Sequence, residues 1–244
     1  METTEDALLG GRLRLRQPRR GYRAGLDAAL LAAAVEARPG ERVVEAGCGV
    51  GGALLQAAAR APEARFTGVE RDPAALALAQ ANIALNRWSD RATALPGDVD
   101  AGFRALALPV FDAAFSNPPF FDDAGVLRGP DPARRGAWMA DAGLGAWTRF
   151  LLKAVREGGR ITMIHRADRL PDLLNQLSET AGSLQVRPVH PYAEAPAKRV
   201  LVRAVKTGRA PLQLLPPLVL HQSGGGWTPE AEAILRGEAG LTWA

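Results

Sequence analysis

Two short stretches place reactive residue types where they could act together. The first is Asn117-Pro118-Pro119-Phe120, which follows the apolar run FDAAFS (111–116). Two prolines remove two backbone donors and fix two φ angles, so the run must end in a stiff corner. A plain turn needs only one such breaker. The Asn117 side-chain oxygen and the Pro118 carbonyl can each accept a hydrogen bond. An exocyclic amino group on an aromatic ring offers two donors, but its lone pair is delocalised into the ring. Two fixed acceptors would orient that nitrogen and stabilise the positive charge that grows on it during alkylation. Pro119 stiffens the corner, and Phe120 can stack on a planar substrate, for about 1–3 kcal/mol per base.

The second stretch is VVEAGCGVGG (43–52). Gly47, Gly49 and Gly52 satisfy G-x-G-x-x-G, which alone permits a dinucleotide. Glu45 lies two residues before the first glycine, where a pyrophosphate would be repelled and a cationic amino group attracted. Glu70, with Arg71 beside it, closes the next apolar run and can accept from both hydroxyls of a ribose. Asp98 closes the run after that and can accept from an adenine amino group. Three carboxylates at neighbouring strand ends around a glycine turn suit a cationic nucleoside, S-adenosylmethionine. A NAD-binding oxidoreductase remains the rival reading, with no role for Asn117-Pro118-Pro119-Phe120. A catalytically inactive RNA-binding module is a further one.

The elements that must position these residues follow from apolar patterning. Strands are predicted over 42–47, 65–70, 91–98, 111–117, 159–165, 184–191 and 199–207, and helices over 51–60, 73–86, 144–157 and 167–179. Asp72-Pro73 suits a helix start, and Gly158-Gly159 suits a helix stop. Alternating strands and helices imply an α/β fold with a mostly parallel sheet covered on both faces. The last two strands are joined by a turn-rich segment, so they form an antiparallel hairpin at the sheet edge. One domain over 1–244 is expected. It comprises a basic lead (1–40) with a strand at 12–16 and a helix at 25–37, a core (41–207) and a C-terminal extension (208–244).

The chain has 244 residues, 47% of them apolar, and a net charge of +4. One cysteine, Cys48, excludes an intrachain disulfide and reads as packing in the loop. No run approaches the ~18 apolar residues of a membrane span, and METTEDALLGGR lacks a signal-peptide pattern, so a cytoplasmic protein is expected. The three histidines have no metal-like spacing, and methyl transfer to a neutral amine needs no metal. Arg12, Arg14, Arg16, Arg19, Arg20 and Arg23 crowd the lead and are candidates for phosphate contacts. The long segment 121–143 adds Arg128, Arg134, Arg135 and Trp138, suited to a phosphate and a stacked base.

The glycine loop with its three acids resembles the Rossmann-like class I methyltransferases, which implies a seven-stranded, mostly parallel sheet with an antiparallel edge hairpin. Asn-Pro-Pro-Phe resembles the signature of enzymes that methylate adenine, glutamine-amide or guanine amino groups. GYRAGLDAALLAA (21–33), SNPPFF (116–121) and GGRITMIHRADRL (158–170) resemble bacterial methyltransferases of valine tRNA. That resemblance implies methylation of the adenine 3′ of the anticodon, and a cofactor-side place for Asp27. Release-factor glutamine methyltransferases usually carry a longer leading domain and NPPY, and fewer than 50 residues precede this glycine loop. A ribosomal-RNA guanine enzyme is a further alternative.

Overall fold

Arg42–Ala46 (β3) holds two adjacent valines, which suit a pleated surface packed on both faces. Every residue from Val43 to Ala46 is buried. In the computed structural model, which describes residues 2–20, 23–119 and 143–243, β3 is the hub of the sheet. Arg65–Glu70 (β4) lies on one side of it with Ala92–Pro96 (β5) beyond. On the other side lie Phe111–Ser116 (β6), Val155–Arg166 (β7), Arg199–Lys206 (β9) and Ala181–His190 (β8), in that order. All these pairs are parallel except β7–β9 and β8–β9. Strand order therefore reverses between β3 and β6, and a crevice opens there at the C-terminal strand ends, the usual ligand position in such sheets.

Helices cover both faces. Leu26–Ala34 (α1), Gly52–Arg60 (α2) and Pro73–Leu85 (α3) share one core with Val43, Phe115 and Leu201. Leu144–Ala154 (α4) and Leu170–Leu177 (α5) share the other with Val44, Ala114, Val200 and Val202. Successive strand residues point to opposite faces, so Val43 and Val44 feed different cores. Asp72 caps α3, accepting from the Ala74 and Ala75 amides at 2.8 Å, with Pro73 in the first turn.

The structure departs from the expected elements in three places. Gly158-Gly159 does not stop a helix: α4 ends at Ala154, and both glycines lie in β7. Pairing jumps there from Phe111↔Val155 to Ala113↔Arg160. A Cβ on Gly159 would come within 2.7 Å of the Arg156 carbonyl oxygen and 2.8 Å of the Val155 Cβ, so the glycine permits this bulge. Second, the strand in the lead, Leu13–Pro18 (β2), has an unexpected antiparallel partner, Thr3–Leu8 (β1). TTEDAL has little strand propensity of its own, and pairing supplies what it lacks. Third, the β8–β9 hairpin is not the outermost element. Gln213–Leu214 (β10) and Leu218–Val219 (β11) pair in parallel with the outer side of β8, making nine strands in this sheet among the described residues. A final helix, Pro229–Arg236 (α6), follows.

The β1–β2 hairpin is held by two asparagines one turn apart, Asn82 on α3 and Asn86 at its C-cap. Asn82 Oδ1 accepts from the Arg16 amide at 2.8 Å, and its Nδ2 donates to the Arg16 carbonyl at 2.9 Å. Asn86 does the same for Arg14, at 3.0 and 2.7 Å. Residues i and i+4 on a helix sit about 6 Å apart, close to the ~6.8 Å between alternate residues of a strand. The two side chains thus complete the edge of β2 as a neighbouring strand would.

Candidate active site

The two central strands end side by side. Ala46 pairs with Ser116, and the buried Ser116 hydroxyl donates to the Ala46 carbonyl at 2.9 Å. The chain leaves β3 as Gly47 and leaves β6 as Asn117, so the glycine loop and the proline corner face the same crevice. Asn117 is half-buried, Pro118 buried and Pro119 half-buried. Phe120, Arg128, Arg134, Arg135 and Trp138 lie outside the described residues.

The loop turns through three left-handed glycines, Gly47, Gly49 and Gly51, at φ 67°, 55° and 86°, a region other residues rarely adopt. Gly47 is also crowded: a Cβ there would fall 2.4 Å from the Trp147 ring on α4. Trp147 is 8% exposed, and its indole nitrogen is buried without a hydrogen-bond partner among the described residues. Gly52 starts α2 where a Cβ would meet that of Ala24 at 2.1 Å. This third glycine therefore serves packing of the segment before α1. Cys48 is buried, its thiol pushed up by burial, and it fits against Gly68 of β4, in keeping with a packing role.

Glu45 is buried, and its Oε2 has no hydrogen-bond partner among the described residues. Burial raises its carboxyl well above the ordinary 4.5; the Leu54 backbone amide offsets part of this, and the Glu70 charge adds to it. An orphaned buried carboxylate calls for a cation or a donor, which fits the ammonium group of S-adenosylmethionine. Glu70 is held by two backbone donors, Gly49 to Oε2 and Asp72 to Oε1, each at 2.8 Å. Each oxygen keeps a lone pair for a ribose hydroxyl. Asp98 lies on the same strand-end edge, half-buried, with Arg71 at 3.9 Å from Asp98 and 3.7 Å from Asp100. Glu45, the glycines, Glu70, Arg71 and Asp98 are thus brought to one edge of the sheet.

Asp27 lies in the first turn of α1 and pairs with Arg199 at 3.0 Å. Because β9 runs backwards, Arg199 sits opposite Arg166 at the same C-terminal edge. The lead arginines are mostly engaged within the chain. Arg12 donates to the carbonyls of Arg236 and Gly237 at the end of α6, and Arg23 to Asp6, Thr4 and the Pro18 carbonyl. Arg14 and Arg16 pair with Glu5, and Arg19 with Glu2. Arg20 is exposed. Trp147 and Asn82 were not evident from sequence. Asn82 also donates to the Val50 carbonyl at 3.0 Å, tying the glycine loop to α3 and β2. Among the described residues, no cluster of three or more His, Cys, Asp or Glu could hold a metal, and no helix is long and apolar enough to cross a membrane.

Residues 23–128 match the methyltransferase small domain family. A Porphyromonas gingivalis protein named tRNA1(Val) (adenine(37)-N6)-methyltransferase is 30% identical over 220 residues, 85% of each chain. The chain belongs to this family. Another member, from Trichodesmium erythraeum, is 27% identical over 228 residues, 91% of this chain and 92% of its own. Among solved structures, a predicted O-methyltransferase from Agrobacterium tumefaciens superposes with a TM-score of 0.74 at 27% identity, covering 88% of this chain and 98% of that one. The protein is a class I, S-adenosylmethionine-dependent methyltransferase. That assignment removes the oxidoreductase reading of the glycine loop.

Proposed function

We propose that the protein methylates the N6 amino group of adenine in tRNA, at the position 3′ of the anticodon in valine tRNA. The observation that carries this reading is the juxtaposition of the Asn117-Pro118-Pro119 corner with the glycine loop, through paired Ala46 and Ser116. Curated relatives that match along most of their length carry the same activity in their names. An oxygen acceptor, as in the name of the Agrobacterium neighbour, would give the two fixed acceptors no pair of donors to hold.

In this reading Glu45 receives the ammonium group of the cofactor, Gly47 and Gly49 lie against it, Glu70 holds its ribose and Asp98 its adenine amine. S-adenosylmethionine, when bound, supplies an electrophilic methyl group. Asn117 Oδ1 and the Pro118 carbonyl accept the two N6 hydrogens and turn the nitrogen lone pair toward the methyl. As the N–C bond would form and the methyl–sulfur bond would break, with the neutral thioether S-adenosylhomocysteine as leaving group, positive charge would grow on N6, and these acceptors would stabilise it more than they stabilise the neutral amine. The surplus proton leaves N6 to water. Phe120 stacks on the adenine after it is swung from its neighbours, a step that costs a few kcal/mol. Arg14, Arg16, Arg19 and Arg20 are exposed, and exposed ion pairs are weak enough to exchange for phosphates. Arg12, exposed as well, and half-buried Arg23 also donate to backbone and side chains of α6 and β1, so their share in phosphate contact is the smaller one. Arg134, Arg135 and Trp138 are assigned to the same RNA. The site lies in one domain over residues 1–244, in the cytoplasm with its tRNA, and the chemistry requires no metal. The direct test is transfer of labelled methyl into total tRNA followed by nucleoside analysis. N6-methyladenosine in valine tRNA supports the reading, and label in protein or in guanine overturns it.

A further inference from the structure

The turn after β8 and the segment after β11 bring three aromatic rings together. The Tyr192 and His221 centroids are 5.5 Å apart at 39°, and His221 stacks on Trp227 at 4.4 Å and 25°. The arrangement is braced by the backbone. The Leu220 amide donates to the His190 carbonyl at 2.8 Å and the His221 amide to the Pro191 carbonyl at 2.9 Å. His221 bridges to Trp227, and Gln222 Nε2 donates to the Trp227 carbonyl at 2.8 Å. His190 Nδ1 lies 2.7 Å from the Ala195 carbonyl, closing the turn that carries Tyr192. Trp227 packs against the core, but Tyr192 belongs to neither core and is 48% exposed. Its ring is tilted against that of His221 and keeps much of its surface open.

The location decides what the stack could meet. Strand β8 runs parallel to β6, since both are related through β7 and the reversed β9. Val189 of β8 pairs with Arg199, which pairs with Arg166 at the end of β7. Tyr192 and His221 therefore emerge at the same edge as Asn117. Three inter-strand spacings separate β6 from β8, about 14–15 Å across the sheet, and the register adds about 10 Å along it, from Met163 opposite Ser116 to Arg166 level with Val189, a span of a few nucleotides from a base held at the proline corner.

We propose that Tyr192, backed by His221 and Trp227, is a stacking platform for an unpaired base of the RNA substrate, near but distinct from the methylated one; this rests on the RNA reading above. A π-face serves any base, and three rings held by backbone bonds are ordered before binding, so little freedom is lost on contact. Charge contributes little. The turn offers one cation, Lys198, against one carboxylate, Glu194, both exposed. The platform thus differs in kind from the exposed arginines of the lead: its share of the affinity is insensitive to salt.

The test uses the full-length protein and labelled valine tRNA, reading binding by fluorescence anisotropy and methylation in parallel. Tyr192→Ala is expected to weaken tRNA binding by about 5- to 100-fold, with KM for tRNA rising alike and cofactor affinity unmoved. Tyr192→Phe should bind as wild type, and His221→Ala should fall between. The ratio of Tyr192→Ala to wild-type affinity should stay constant across a salt titration that weakens both. Because Tyr192 is exposed, its variants should melt as wild type does. Equal binding by Tyr192→Ala and wild type overturns the platform, as does a Phe variant no better than Ala or a ratio that collapses in high salt. Wild type that binds tRNA but does not methylate it overturns the proposed reaction, while the variants still decide the platform. Wild type that does not bind RNA overturns both.

Discussion

Glu45 is a carboxylate placed where its charge is unwelcome until a cation arrives. Its folded pKa is raised, so in the free protein its stabilising contribution is fully present below the ordinary value and is lost as pH rises through the folded one. Cofactor binding has the opposite sign: the proton must leave for the ammonium group to pair, so affinity rises with pH across that window. Glu45→Gln should flatten both profiles, and it should stabilise the free protein at neutral pH while weakening S-adenosylmethionine binding. Denaturation and calorimetry at several pH values read the two effects, and a wild-type affinity that is flat with pH would argue against the assignment. Asn117 should behave otherwise. Its acceptor works when charge develops on the substrate nitrogen, so Asn117→Ala is expected to lower single-turnover methylation by roughly a hundredfold or more, with the cofactor bound as before. Methylation at the wild-type rate would remove Asn117 from the mechanism. These residues are legible in the sequence because short apolar runs place them at strand ends. Trp147 is not: its meaning depends on α4 folding across Gly47, and nothing near residue 147 announces that contact.

At the scale of elements, one helix organises two others through amides. Asn82 is fully buried and satisfies the Arg16 backbone twice and the Val50 carbonyl once. Asn82→Ala would leave those three groups unpaired, a loss of about 1–3 kcal/mol, or a fall in Tm of several degrees for a chain of this size. Asn82→Asp keeps the acceptor but presents none of the donors, and should be worse. Thermal denaturation with and without cofactor checks both, and hydrogen exchange in β2 and the glycine loop should rise together. An effect confined to one of them would mean that Asn82 does not couple them. The seven core strands are legible because alternation and glycine punctuation are local. Strand β1 and the covering of β8 by β10 and β11 are not, because those segments become strands only against a partner distant in sequence. The three-ring stack escaped for the same reason: Tyr192 and His221 meet only after β11 has paired with β8. Gly158-Gly159 misled because a glycine pair serves a bulge as well as a helix stop.

Taken whole, the molecule is closed by its extension. The C-terminal carbonyls of α1, left without helical partners, are taken by residues far along the chain: Leu241 donates to Ala33 and the Trp243 indole to Ala34, each at 2.8 Å. Arg60 donates to the Ile234 and Ala239 carbonyls, and Arg187 to that of Thr242. Trp243→Ala removes a buried ring as well as this bond, so a loss of about 3–5 kcal/mol is expected, lowering Tm by roughly 10 °C. Molecules still folded should bind cofactor as wild type does, because the clasp lies away from the strand-end crevice. A melting temperature within a degree or two of wild type would mean that the extension is not part of the cooperative unit. The clasp also sets an order of events. Ala34 and Trp243 are 209 residues apart, so a ribosome making this protein has finished every core strand before α1 can be sealed. Until then the growing chain carries a cofactor loop and a sheet whose first helix has an open end. The seal on α1 should therefore be among the last parts of this fold to form, after the core strands it closes have been made.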